Sequence, residues 1–335
     1  MIQLFLCYLF NFMNLLNKGL IFMTKFAFVF PGQGSQSLKM MDGFVDSPII
    51  KNTFDKASSA IDIDLWSMLK EESVDNINQT INTQPLLLTA SYATYLAWLD
   101  KSNGTTPDYV AGHSLGEYSA LVASGVIDFI DAVKLVRKRA EYMQDSVKPG
   151  EGAMAAVLNL DDKVVIETCQ EVMASGLGVV EGVNFNSIGQ IVIAGNKLAV
   201  EKASELLKER GARKVLSLPV SVPSHCALMK PAAEKLAIEL QNIEFKLPNI
   251  AVVQNVNANV SNDVQVIKEL LVKQLYSPVL WTKTIQFLKN QEVRSLVECG
   301  PGKVLSGLNK RIHEQATLFN LNSSESLIIL TDYLK

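Results

Sequence analysis

Two rhythms of apolar residues alternate along this chain. Short runs that are apolar almost throughout read as core strands: Thr24-Lys-Phe-Ala-Phe-Val-Phe30, Tyr109-Val-Ala-Gly112, Ile250-Ala-Val-Val253 and Arg294-Ser-Leu-Val-Glu-Cys299. Between them, apolar residues recur at helical spacing near 51–62, 83–99, 129–147, 229–241 and 264–275. Strands that alternate with helices predict an α/β fold built on a parallel sheet.

Residues 150–218 follow an order of their own. Ala153-Met-Ala-Ala-Val-Leu158 reads as a strand, and Asp161 caps a helix that runs to about Ala174. Gly178 to Phe185 reads as a strand, Asn186-Ser-Ile-Gly189 as a turn, and Gln190-Ile-Val-Ile-Ala194 as its hairpin partner. A helix from Leu198 to Arg210 ends at Gly211, and Arg213-Lys-Val-Leu-Ser217 closes the segment. The order β-α-β-β-α-β is ferredoxin-like. It predicts a subdomain inserted between Pro149-Gly150 and Pro219 into a core made of residues 23–149 and 219–315, with a tail at 316–335. A cleft between core and insert is the natural place for a ligand.

The sharpest local signal is Gly112-His-Ser-Leu-Gly116. Gly-x-Ser-x-Gly between a strand and a helix is the pattern of a nucleophile elbow, in which the serine sits on a strained corner and its hydroxyl is pushed clear of the sheet. Side chains at Gly112 and Gly116 would collide with neighbouring backbone, and the helix N-terminus behind Ser114 favours developing negative charge. The arrangement suits acyl transfer through a covalent ester. A glycine-containing turn with a capping serine is the plainer alternative. With the elbow, the fold class expected is α/β: a hydrolase-like core with a short parallel sheet and an inserted ferredoxin-like subdomain.

Composition narrows the field. The chain has 335 residues, 48 % of them hydrophobic and 19 % charged, which is a globular composition. A net charge of −3 does not suggest a nucleic-acid partner. Cys7, Cys169, Cys226 and Cys299 have neither metal-site nor disulfide spacing, which fits a cytoplasmic protein. Residues 1–22 are apolar but interrupted by Asn11, Asn14, Asn17 and Lys18, and lack the basic start and small-residue cleavage site of a secretory signal. They are expected to stand outside the fold, with translation beginning at Met23; a membrane-associating helix is the rival, although no stable membrane association is expected.

A serine nucleophile at neutral pH needs a base, and the chain offers three histidines. His113 precedes the serine, so its side chain points elsewhere. His313, in Lys310-Arg-Ile-His-Glu314, reads as a solvated helix end. His225, after a rigid loop, is the candidate by elimination, against the alternative of a buried structural histidine. Cys226 beside it reads as an apolar filler. No third member of a triad can be picked out. On the helix from Phe129, Phe129, Val133, Val136, Ala140 and Met143 form an apolar stripe, with Arg139 on its shoulder among Ala132, Leu135 and Met143. A guanidinium there needs an anion: a substrate carboxylate, or an internal salt bridge, or a path to solvent by snorkelling.

Four motifs in order carry a wider resemblance: Phe30-Pro-Gly-Gln-Gly-Ser-Gln36, Gly112-His-Ser-Leu-Gly-Glu-Tyr-Ser-Ala120, Pro219-Val-Ser-Val-Pro-Ser-His225 and Gly300-Pro-Gly-Lys-Val-Leu305. From about Met23 to Ile312 the chain resembles the malonyl-CoA:acyl carrier protein transacylases of dissociated bacterial fatty-acid synthesis. The resemblance implies Ser114 as nucleophile, His225 as base and then acid, and the N–H groups of Gln33 and Leu115 as oxyanion hole. It implies Arg139 as partner of the malonyl carboxylate and Gln274 as the residue whose main-chain carbonyl orients the histidine, so that a Ser-His dyad replaces a triad. Met143 and Asn184 are placed at the substrate, and Asn184 and Asn186 on the insert face the cleft. The partners implied are malonyl-CoA and acyl carrier protein, with no cofactor and no metal, in a monomer. Lys134, Lys138, Arg213, Lys214 and Lys310 are candidates for docking the carrier. A serine thioesterase or hydrolase, a silent carrier-binding scaffold, and an acyltransferase of another malonyl- or methylmalonyl-using pathway are the rivals.

Overall fold

The strand-like runs assemble into two sheets. A computed structural model describes residues 25–71, 73–219 and 222–335; the apolar leader at 1–22 and the start at Met23 lie outside the described residues. The first sheet holds five parallel strands in the order β7-β2-β1-β8-β9: β1 Phe26–Phe30, β2 Tyr109–Gly112, β7 Ala251–Val253, β8 Ser295–Cys299 and β9 Thr317–Leu321. β1 and β8 are buried along their whole length, which is why β1 reads as an unbroken apolar run; β8 is interrupted only by the buried Ser295 and Glu298. From β1 the chain winds outward to β2 and β7, then returns to β8 and β9 on the other side. Loops at the carboxyl ends of the central strands therefore diverge around one crevice, where such sheets place their ligands.

The second sheet is antiparallel, in the order β4-β5-β3-β6: β3 Gly152–Leu158, β4 Val180–Ser187, β5 Gln190–Asn196 and β6 Lys214–Ser217. The helices Asp162–Ala174 and Lys197–Glu209 cover one of its faces and close a small core of Val157, Val165, Cys169, Ile191, Ile193 and Leu207. Asp161 caps the first helix through the N–H of Lys163. β4 continues two residues further than the sequence pattern suggests, so Asn186 and Ser187 are strand residues and the turn is Ile188-Gly189. Two backbone bonds lock β4 to the core, Phe185 N–H to Val279 O at 3.0 Å and Val279 N–H to Val183 O at 2.9 Å.

Two expectations need correcting. Residues 316–335 are not a tail beyond the core. β9 extends the parallel sheet beside β8, and the helix Ser324–Leu334 packs Leu327 and Leu330 into the main hydrophobic cluster, started by a capping box at Ser323. His313 is not at a solvated helix end either. The continuing chain covers it, leaving 6 % exposed, and its Nε2 lies 3.1 Å from the Val293 carbonyl oxygen. The Gly300-Pro-Gly-Lys-Val-Leu305 motif leads into the helix Val304–Ile312, whose first N–H groups are capped by the buried Glu298: Leu305 N–H at 3.0 Å and Ser306 N–H at 2.8 Å. Because Leu330 is fully buried, Leu330→Ala should lower the unfolding free energy by about 2–5 kcal/mol. Urea denaturation checks this, and an unchanged midpoint would mean that the last helix contributes nothing to the core.

Candidate active site

The elbow is held by close backbone packing. Ser114 has φ of 53°, a left-handed conformation that a side-chain-bearing residue adopts only under constraint. The constraint comes from three chain segments pressed together. A Cβ on Gly112 would lie 1.9 Å from the backbone of Gly116, and one on Gly116 would lie 2.0 Å from Phe30 O. Only glycine allows β1, β2 and the following helix, Gly116–Ala123, to meet so closely. Asn255, just past β7, straddles the corner: its Oδ1 accepts from Ser114 N–H at 2.8 Å and its Nδ2 donates to Gly112 O at 2.6 Å.

His225 arrives on the chain that returns from the insert, and it too is left-handed, with φ of 67°. Its N–H donates to Leu275 O at 3.0 Å, and its Nδ1 donates to Gln274 O at 2.6 Å. A carbonyl can only accept, so the proton sits on Nδ1 and Nε2 is left as the acceptor. That Nε2 lies 2.7 Å from Ser114 Oγ. The ring is 3 % exposed. Burial, reinforced by the nearby Arg139 charge, pushes its pKa down to about 3. The imidazole is therefore neutral at physiological pH and able to take the serine proton.

Around the pair lies a cavity of 110 Å³. Gln33, Leu115, Arg139, Met143 and Asn184 all line it with Ser114 and His225, whereas Gln274 and Asn186 stand behind its wall. Among the described residues, the N–H groups of Gln33 and Leu115 have no protein acceptor. The Gln33 loop is seated against the elbow, since a Cβ on Gly32 would meet His113 O at 2.4 Å. These two donors can receive an oxyanion. Asn184 Oδ1 is buried without a partner.

Arg139 is the unusual member. It sits on the helix Phe129–Asp145 with 1 % exposure. Among the described residues it forms no ion pair, whereas its neighbours Arg137 and Lys138 pair with Glu141 and Glu239. Nη1 donates to Gln84 Oε1 at 2.7 Å and Nη2 to Gln274 Oε1 at 3.0 Å, while the guanidinium carbon stands 5.4 Å from the Tyr118 ring centre. Nε has no partner. Neither the internal salt bridge nor the snorkelling alternative is realised. Burial lowers its proton affinity, but a guanidinium remains charged. Two neutral amide oxygens do not balance that charge, so the cavity offers an anion a desolvated cation.

Other residues belong to the site without having been predicted for it. Gln84 and Asn255 carry no motif; only the fold brings them in. His113 does turn from the serine hydroxyl, yet it borders the cavity, where its Nε2 lies 2.8 Å from Asn186 Oδ1 and its ring is tilted against Trp281. It thereby joins the elbow to the insert. Cys226 is buried, donates to Pro223 O, and has its thiol pushed up to about 12 by burial, the state of an unreactive filler.

Ser114, strained and set against a neutral His225 beside two unengaged N–H groups, is equipped for acyl chemistry through a covalent ester. The sequence agrees: residues 27–321 match the acyl transferase domain family. The malonyl CoA-acyl carrier protein transacylase of Escherichia coli strain K12 is 52 % identical to this chain over 306 residues, which is 91 % of this chain and 98 % of that protein. Among solved structures, a type II PKS acyl-carrier protein in complex with its malonyl-transacylase matches with a TM-score of 0.90 at 47 % identity, covering 92 % of this chain and 99 % of that one. The malonyl CoA-acyl carrier protein transacylase from Coxiella burnetii matches with a TM-score of 0.90 at 42 % identity, covering 93 % and 98 %. The chain belongs to the malonyl CoA-acyl carrier protein transacylase family. Among the described residues no helix is long and apolar enough to cross a membrane.

The neutrality of His225 has a measurable cost in acid. Its folded pKa is depressed to about 3 from 6.5. Above pH 6.5 it is neutral whether folded or unfolded; below it, the unfolded chain takes a proton that the folded protein refuses, and stability is lost. The loss is about 1.4 kcal/mol per pH unit, or ~2 kcal/mol by pH 5. The stability difference between the native protein and His225→Asn should shift against the native protein by that amount from pH 7 to pH 5. Parallel urea-denaturation curves at both pH values would show that the ring is not held neutral.

Proposed function

We propose that this protein moves a malonyl group from malonyl-CoA to the phosphopantetheine thiol of acyl carrier protein through a malonyl ester on Ser114. The observation that carries this reading is Arg139, a buried cation that has no counter-ion among the described residues and shares a cavity with the serine and its base. A malonyl group differs from most acyl groups in its terminal carboxylate, which a guanidinium can hold bidentately.

In the proposed sequence, Ser114 Oγ attacks the thioester carbonyl as His225 Nε2 takes its proton. The tetrahedral oxyanion rests on the N–H groups of Gln33 and Leu115. The C–S bond then breaks, the CoA sulfur leaves with the proton from His225, and a malonyl-serine remains. The carrier's thiol gives its proton to His225, attacks the ester and reverses the steps. One thioester is exchanged for another through an ester, so the transfer is nearly balanced in energy and reversible. No cofactor enters. On this reading the protein works as a monomer, with every reacting group drawn from one chain, and acts in the cytoplasm. Lys134, Arg213, Lys214 and Lys310 are exposed and suited to an acidic carrier, whereas Lys138 is engaged with Glu239.

The experiment is intact mass spectrometry after mixing with malonyl-CoA, then with carrier protein. A malonyl adduct should form, disappear when carrier is added, and be absent in Ser114→Ala. Arg139→Ala should cut malonyl loading by about 30-fold or more while sparing acetyl loading, since it removes the partner of a desolvated charge. Equal loss of both acyl groups would overturn the carboxylate assignment, and loss of the adduct to water without transfer would favour a hydrolase.

A further inference from the structure

Glu117 is a buried acid for which the acyl-transfer steps have no use. It lies in the first turn of the helix Gly116–Ala123, 1 % exposed, three residues after Ser114. It makes no ion pair with Arg139 at salt-bridge distance; it reaches that residue through Gln274. Glu117 Oε2 accepts from Gln274 Nε2 at 2.7 Å and from Asn255 N–H at 3.2 Å. The other end of the Gln274 amide, Oε1, accepts from Arg139 Nη2 at 3.0 Å, and Nε2 also donates to Ser114 O at 2.9 Å.

We infer that Glu117 is a positioning residue that fixes which end of the Gln274 amide meets Arg139, and through it keeps the guanidinium set for an acyl carboxylate. The two ends of an amide are almost the same shape but opposite in hydrogen-bonding sense. Turned over, Gln274 would set N–H against the N–H groups of Arg139 and an oxygen against two acceptor oxygens. Two acceptors on one side and a cation on the other leave one favourable orientation. Of these acceptors Glu117 makes the shorter bond and is the one to remove by substitution, since the other is a main-chain carbonyl and a third oxygen, Asn255 Oδ1, stands off at 3.5 Å. Burial raises Glu117 to about 7, with Gln274, Asn255 and Arg139 pulling the other way. Ionised or neutral, the carboxyl keeps an oxygen that can accept from Gln274 Nε2, and the Ser114 carbonyl and Arg139, which cannot reverse their hydrogen-bonding sense, favour the same orientation in both states. That separates this role from a simple counter-ion for Arg139. The inference rests on reading Arg139 as the acyl carboxylate's partner.

Three variants test it, with malonyl- and acetyl-enzyme formation followed by quenched intact mass. Glu117→Met keeps the bulk and removes the acceptor; it should lower kcat/KM for malonyl loading about tenfold relative to acetyl loading. Glu117→Gln, whose oxygen can still accept from Gln274, should keep the malonyl-to-acetyl ratio within about threefold of the native value. Gln274→Met removes the amide being oriented while leaving the main-chain carbonyl that holds His225, and should lose malonyl preference as Glu117→Met does. Equal loss of both substrates in Glu117→Met would reduce Glu117 to packing. A Glu117→Gln variant as unselective as Glu117→Met would make the charge the agent. If Glu117→Met does not fold, an unchanged malonyl-to-acetyl ratio in Gln274→Met is enough to overturn the inference. Arg139→Ala, run alongside, reports on the functional reading itself: if it fails to separate the two acyl groups, that reading falls first.

Discussion

Everything in this site depends on the bond from His225 Nδ1 to the main-chain carbonyl of Gln274. It fixes the tautomer, aims Nε2 at Ser114, and does so with a neutral acceptor where many serine enzymes use a carboxylate. The carbonyl is available because Gln274 is the last residue of the helix Val264–Gln274. The final carbonyls of a helix have no partner within it and carry the negative end of its dipole. The next carbonyl, that of Leu275, holds the backbone N–H of the same histidine. A helix end that must be satisfied somehow is satisfied by the base. Since no acid among the described residues adjoins the ring, burial and the Arg139 charge decide its protonation, and both favour the neutral form.

The side chain of the same residue carries the second half of the site. Its amide spans from Arg139 to Glu117 and the Ser114 carbonyl. His225, Ser114 and Arg139 are thus all tied to Gln274, the histidine by the main chain and the others by the side chain. On the other flank, Asn255 ties the elbow to the end of β7, and His113 ties it to Asn186 of the insert. The serine itself needs no hinge or closure: its corner is fixed by glycines at van der Waals contact with neighbouring backbone.

This pattern explains what the sequence could and could not convey. The elbow was legible because close packing demands glycine at fixed offsets, and glycine leaves a mark. The parallel sheet is legible because strands covered on both faces are apolar at nearly every position, β8 with its buried Ser295 and Glu298 being the exception. His225 emerged because only three histidines were available. Arg139 was visible as an anomaly in a helical stripe, but its lack of a counter-ion was not, since that depends on Gln84 and Gln274 from two other helices. Glu117 stands inside the elbow motif and Asn255 outside every motif, yet neither shows a role in sequence: an acid and an amide with no periodicity of their own look like surface residues until the fold buries them. β9 is hard to see in sequence because an edge strand with one open side is only partly apolar, and the burial of His313 depends on contacts such as the Val293 carbonyl, 20 residues away, that no local pattern marks.

An unpaired buried guanidinium destabilises the folded protein, because amide dipoles replace only part of its lost hydration. Evolution can remove such a cost easily by placing an acid within reach, and here an acid is already within reach. Glu117 is nevertheless kept one amide away from Arg139. A direct ion pair would satisfy the cation and leave nothing for an entering carboxylate to gain. With Gln274 interposed, the cation is held in place by dipoles and its charge is still open to an anion in the cavity. On the proposed reading, the energy withheld from folding is released when a charged acyl group enters, next to the serine that will receive it. Selectivity for the carboxylate and placement of the reacting carbonyl then come from one contact. An uncharged acyl group could occupy the same space without obtaining it.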